Sequence, residues 1–162
     1  MAAQLVSAFI ISRLDYGNAT LSGFPQSTLA PLQRVLNAAA RLVCYLRPRE
    51  HVTSALIDLH WLPIAARIEF KICVLAYKSL NSTAPAYISD MLMMLQPVSS
   101  LQRQTNLRSA TNSELFVPRT RLRVGERAFS SSAPRLWNTL PTYIKRAATL
   151  LTFKKNSDLS FL

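Results

Sequence analysis

Three glycines in 162 residues, against nine prolines, limit what this chain can become more than any other feature. A phosphate-cradling loop, a dinucleotide fold built on repeated glycines and a many-turned all-β barrel each need glycine at several tight positions. A helical architecture punctuated by proline needs few. With 49% hydrophobic residues the chain has material for a core, and a domain of this length typically removes roughly two-thirds of its unfolded surface from water.

Apolar spacing places the helices. Gln4 to Arg13 is expected to form a short apolar helix ended by the turn-prone Asp15-Tyr16-Gly17-Asn18. From an N-cap at Ser27 or Thr28, with Pro31 tolerated in the first turn, Leu29, Leu32, Val35, Leu36, Ala39, Leu42 and Val43 keep helical spacing until Arg47-Pro48. Arg34, Asn37 and Arg41 fall on the opposite face. Thr53 is expected to cap a brief helix, and Pro63 to open a longer one whose Ile64, Ile68, Ile72 and Leu75 form one ridge, with Arg67, Lys71 and Lys78 along another face. A further helix is expected from Ala84-Pro85 through Met91 and Met94, closed by Pro97.

Beyond Pro97 the composition turns to Ser, Gln, Asn, Thr and Arg, so residues 98–113 are expected to be a linker or surface loop between a helical region, 1–97, and a basic C-terminal region, 114–162. There Arg119, Arg121 and Arg123 alternate with Thr120, Leu122 and Val124, a period of two that predicts a strand. Gly125-Glu126 would turn it into a second strand, Arg127 to Ser131, and Pro118 points to a sheet edge. Short helices follow around Leu136-Trp137, from Tyr143 to Ala148 and from Leu150 onward, the last carrying Lys154 and Lys155. The expected fold is therefore mainly α: a helical bundle, then a small β-hairpin and short C-terminal helices.

Charge follows the same division. The formal net charge is +11, of which residues 1–98 carry +3 and the remainder +8. The eight acids, Asp15, Glu50, Asp58, Glu69, Asp90, Glu114, Glu126 and Asp158, stand singly, whereas two-metal polymerase or nuclease chemistry gathers carboxylates around cations about 4 Å apart. His51 and His60 come with no nucleophile motif, so His60 is expected to be a half-buried packing residue beside Trp61 and His51 a solvated cap. Two cysteines and two histidines fall short of an ordinary structural zinc site, and Cys44 and Cys73 lie within apolar patterns as two buried thiols. No cofactor is expected.

The apolar run Leu5–Ile11 lacks a preceding basic residue and a cleavage pattern, and Ile64–Leu80 carries four charges, so neither a secretory signal nor a membrane span is expected. The chain is placed inside the cell, in cytoplasm or nucleus. What composition supports is a polyanion partner: arginines alternating on a strand stand about 6.6–6.8 Å apart, within reach of successive phosphates, although charged edges also serve simply to block aggregation. Phe129, Trp137 and Tyr143 are candidates for stacking on bases, with core packing as the ordinary alternative.

Particular strings add to this reading. Ser12-Arg13-Leu14-Asp15-Tyr16-Gly17-Asn18, Leu32-Gln33-Arg34-Val35-Leu36-Asn37-Ala38-Ala39-Ala40-Arg41-Leu42 and Leu59-His60-Trp61-Leu62-Pro63 resemble the region after the polymerase domain in jockey-like LINE retrotransposon reverse transcriptases. The resemblance continues in order through Ala84-Pro85-Ala86-Tyr87, Leu107-Arg108-Ser109, Val117-Pro118-Arg119, Gly125-Glu126-Arg127-Ala128-Phe129, Ala133-Pro134-Arg135-Leu136-Trp137-Asn138-Thr139-Leu140-Pro141 and Phe153-Lys154-Lys155. It covers nearly the whole chain. One departure is Gly17, where relatives often carry cysteine.

The resemblance implies a thumb-like helical region followed by a C-terminal extension, without the Tyr/Phe-x-Asp-Asp catalytic motif and without the endonuclease domain, as in a truncated element copy starting at an internal Met1. It implies no catalysis by this chain alone. Arg34, Arg41, Arg67, Lys71 and Lys78 become candidates for gripping the backbone of a template–primer duplex, and Arg119, Arg121, Arg123, Arg127, Lys154 and Lys155 for holding element RNA. The implied partners are RNA or an RNA–DNA template–primer duplex and the polymerase palm, with no membrane and no small-molecule substrate. Two alternatives stand beside this: an orphan fragment or protein-interaction module with no selected function of its own, and a free-standing enzyme.

Overall fold

The structure is a computed structural model, and it describes residues 2–88 and 114–161. Its first element shows how a short apolar run is kept helical through an irregularity. α1 (Ala2–Val6) passes through a π-helical turn (Ser7–Ile11) into α2 (Ser12–Asp15). A π turn displaces the backbone ladder by one residue and leaves a carbonyl over. Ser12 resolves this twice, since its backbone N–H bonds the Ser7 carbonyl and its hydroxyl donates to the Ala8 carbonyl. Gly17 then takes φ 65°, where a side chain would be strained, and a 3₁₀ turn (Asn18–Leu21) follows.

α3 (Gln26–Cys44) follows the expected apolar spacing: Leu29, Leu36 and Ala39 are buried together with Ala40, while Val35 and Leu42 are exposed. It begins one residue ahead of the expected cap, directly after Pro25, whose carbonyl accepts the Thr28 N–H at 2.9 Å. α4 (Thr53–Asp58) buries Ala55 and Leu56. α5 (Ile64–Leu80) buries Ile64, Ile68 and Ile72 as one ridge and leaves Leu75 half-buried. A side chain from α3 starts it, because Gln33 Oε1 accepts the Ile64 N–H at 2.9 Å while Gln33 Nε2 donates to Asn37 Oδ1 at 2.9 Å. Residues 86–88 are helical, as expected after Ala84-Pro85.

Glycine scarcity reappears at the helix ends. Left-handed backbone normally closes a helix, and glycine usually supplies it. Here Tyr45 (φ 54°), His60 (φ 52°) and Ser82 (φ 55°) do so. Each is followed by an N–H reaching back five residues: Leu46 to the Arg41 carbonyl at 3.0 Å, Trp61 to Leu56 at 2.8 Å and Thr83 to Lys78 at 2.8 Å. His60 is thus an exposed cap residue, not the half-buried packing residue the sequence suggested.

The mainly helical expectation holds, and the β-hairpin does not. Among the described residues there is no strand. Residues 116–120 have no regular secondary structure, and Arg123–Arg127 is a short helix, α6. A strand face is stable when its apolar members reach a core, yet Leu122 is 72% and Val124 75% exposed, so the alternation has nothing to bury. The backbone of Leu115 is instead paired with a side chain: its N–H donates to Asn138 Oδ1 and its carbonyl accepts from Asn138 Nδ2, both at 2.9 Å. Gly125 makes no hairpin turn. A Cβ there would stand 3.2 Å from Thr120 Cβ, so close approach is what its missing side chain permits. Arg119, Arg121 and Arg123 therefore do not share a strand face.

α7 (Phe129–Thr139), α8 (Thr142–Lys145) and α9 (Leu150–Phe161) follow. α7 carries Pro134 within it and buries Ala133 and Trp137. The ring of Phe153 on α9 lies 4.4 Å from Tyr77 and 5.9 Å from Trp137, both in stacked orientation, and the Tyr77 hydroxyl donates to the Ala147 carbonyl at 2.8 Å.

The contacts divide the chain into two compact units, with the boundary between Ile68 and Glu69 inside α5. The expected linker, 98–113, and the expected helix through Met91 and Met94 lie outside the described residues. Among the described residues no helix is long and apolar enough to cross a membrane.

Candidate nucleic-acid interface

The candidate cations separate by what surrounds them. Arg67 is taken up by the fold: its Nη1 donates to Asp15 Oδ1 at 3.2 Å and Oδ2 at 3.3 Å, and its side chain is only 14% exposed. Asp15 also accepts from Asn18 Nδ2 at 3.4 Å, so the bridge ties the end of α2 and the following turn to the start of α5. An arginine so enclosed has little to give a phosphate. Its neighbour Lys71, one helical turn on, is exposed, and Lys78 is half-buried.

On α3, Arg34 is exposed. Arg41 is half-buried and held, with one terminal nitrogen donating to the Glu50 carbonyl at 3.4 Å and its Nε buried without a protein partner. It lines an open cleft of about 530 Å³ with Ala38, Leu42, Tyr45, Leu46 and Pro48. Sequence reasoning selected Arg41 but not this cleft or Tyr45. The missing signal is retrospective: a helix stopping before Arg47-Pro48 with no glycine available must put some other residue in the left-handed position.

In the second unit Arg119 and Arg121 are exposed ahead of α6, and Lys154 and Lys155 are exposed on α9. None of these four is in an ion pair among the described residues, where the bridges formed are Arg67 with Asp15 and Arg135 with Glu126 at 3.8 Å. Arg127 is half-buried, and for Arg123 the backbone places it at the start of α6. Of the aromatic candidates, Trp137 belongs to the core stack, Phe129 is half-buried and Tyr143 is exposed.

Burial shifts three further titratable groups. Lys145 is almost fully covered, its ammonium donating to the Asn138 carbonyl at 3.1 Å; burial lowers its pKa, partly opposed by Glu114. Burial raises the Glu69 carboxyl, and burial together with the Glu69 charge pushes the Cys73 thiol up to about 12. Such a thiol is a packing group. Cys44 is half-buried. Among the described residues no cluster of three metal-ligating side chains forms. Comparison with protein-family profiles, with curated proteins and with solved structures finds no match to this chain.

Proposed function

We propose that the chain corresponds to the thumb-like helical region and C-terminal extension of a jockey-like retrotransposon reverse transcriptase, non-catalytic by itself, and that it holds RNA or a template–primer duplex through phosphate contacts. The observation that carries this is the set of exposed cations in the second unit, Lys71, Arg119, Arg121, Lys154 and Lys155, none of them in an ion pair among the described residues, within a chain of net charge +11. Phosphate contacts of this kind confer affinity with little sequence preference. Cytoplasm or nucleus is the compartment this reading requires.

A salt titration tests it. One phosphate contact from each of these cations on an RNA–DNA duplex predicts a loss of roughly five-hundredfold in affinity between 50 and 200 mM salt. Weak binding that ignores salt would overturn the reading and favour the alternative of an interaction module, for which the exposed Leu5 and Phe9 on the first helix are the supporting observation. Incubation with primer, template, nucleotides and magnesium should give no extension, and a reproducible product would overturn the non-catalytic part.

A further inference from the structure

The residue that fits its backbone least well is Tyr45. Histidine is enriched in left-handed backbone and serine is small, so His60 and Ser82 are ordinary exceptions, whereas a bulky ring at φ 54° is an outlier. Strain of this kind persists where something else compensates for it. Packing does not, because Tyr45 is 89% exposed. Its neighbour in the cleft, Leu42, is exposed as well, so the end of α3 presents an aromatic ring and an aliphatic side chain to solvent beside the Arg41 guanidinium. Arg47 and Arg49 follow directly in sequence, both exposed. Among the described residues neither these two nor Arg41 is in an ion pair, and the nearest acid in sequence, Glu50, accepts the backbone N–H of Arg47 at 3.1 Å.

We infer that this cleft at the C-terminal end of α3 is a stacking site for one unpaired base of a single-stranded nucleic acid, with the Tyr45 ring as the platform. An open apolar cleft would also suit an uncharged peptide, but a solvent-facing aromatic ring lining a cleft with Arg41 and followed in sequence by Arg47 and Arg49, none of the three in an ion pair among the described residues, complements a polyanion bearing flat bases. The helix end itself carries a partial negative charge. The ring and Leu42 therefore meet the base, and the phosphates on either side fall to Arg47 and Arg49. The inference rests on the nucleic-acid reading above and adds to it a single-strand site in the first unit.

The left-handed backbone gives a clean variant. Tyr45→Gly removes the ring while suiting the cap, so the fold should melt at the same or a higher temperature. Tyr45→Asn also accepts this backbone and serves as the second ring-free variant. Binding of a short fluorescein-labelled single-stranded RNA of mixed sequence to the full chain, followed by anisotropy, should weaken about tenfold or more in both, by loss of one base–aromatic stack. The slope of log affinity against log salt should stay unchanged, since no phosphate contact is lost, and Tyr45→Phe should bind as the parent does. If the parent binds and both ring-free variants bind equally well, the stacking site is refuted and the wider reading survives. A parent that binds no RNA at any salt overturns both, whereas capture of an uncharged peptide by the ring in place of RNA overturns the stacking site alone.

Discussion

The two units differ in how much of their packing rests on polar and charged groups. The first uses them as internal ties: Gln33 starts α5 from α3, and Arg67 bridges to Asp15. The second closes around apolar rings, with Phe153 stacked between Tyr77 and Trp137, and leaves Arg119, Arg121, Lys154 and Lys155 in solvent. Charge count alone therefore misleads about which cations are available to a partner. Arg67 sits in the same basic helix face as Lys71 in sequence, yet geometry assigns it to folding.

This contrast breaks first if the aromatic stack is not what holds the second unit. Phe153→Ala removes a fully buried ring and should cost about 3–5 kcal/mol in denaturant unfolding, enough to unfold the unit at moderate temperature. A loss below about 1 kcal/mol would mean the stack is incidental. Arg67→Met should cost less, about 1–2 kcal/mol, because Asp15 remains 39% exposed and recovers water when its partner goes. A neutral result would return Arg67 to the pool of surface cations.

Smaller effects sharpen the picture. His60→Gly should raise stability by about 0.5–1 kcal/mol, since the left-handed backbone costs a side chain more than glycine's extra freedom costs the unfolded state. The same substitution at Arg34, inside α3, should lower stability by about 1 kcal/mol. Smallest is a pH effect at Glu69. Burial holds its folded pKa above the ordinary 4.5, so the folded state binds the proton more readily and stability falls as pH rises through that window. Glu69→Gln should then raise Tm at pH 7 and leave it unchanged below pH 4.5; an equal gain at both would assign the effect to packing.

Helix positions were legible in the sequence wherever an apolar stripe found a neighbour to bury it. Leu29, Leu36 and Ala39 on α3 and Ile64, Ile68 and Ile72 on α5 are the expected faces. The same logic explains the failed hairpin. Period-two alternation from Arg119 to Val124 states which residues would share a face, but not whether a core lies beneath it, and Leu122 and Val124 have none. Local pattern likewise carried no trace of the Asn138 side chain pairing with the Leu115 backbone, a contact across 23 residues. At the candidate interface, residue type identified the cations, while the distinction between Arg67 and Arg119 depended on the tertiary position of Asp15. Tyr45 was invisible because a strained cap has no compositional signature.

The central claim is that exposed cations of the second unit bind nucleic acid while Arg67 serves the fold. Two variants measured side by side test it most directly: Arg119→Ala/Arg121→Ala/Lys154→Ala/Lys155→Ala, and Arg67→Met, each examined for Tm and for the salt dependence of binding to an RNA–DNA duplex. The fourfold variant should keep its Tm and lose about 0.9 from the log–log slope for each phosphate contact removed. Arg67→Met should lower Tm and keep the slope. Contradiction would be the reverse pattern, a slope that follows Arg67 and ignores the four exposed cations.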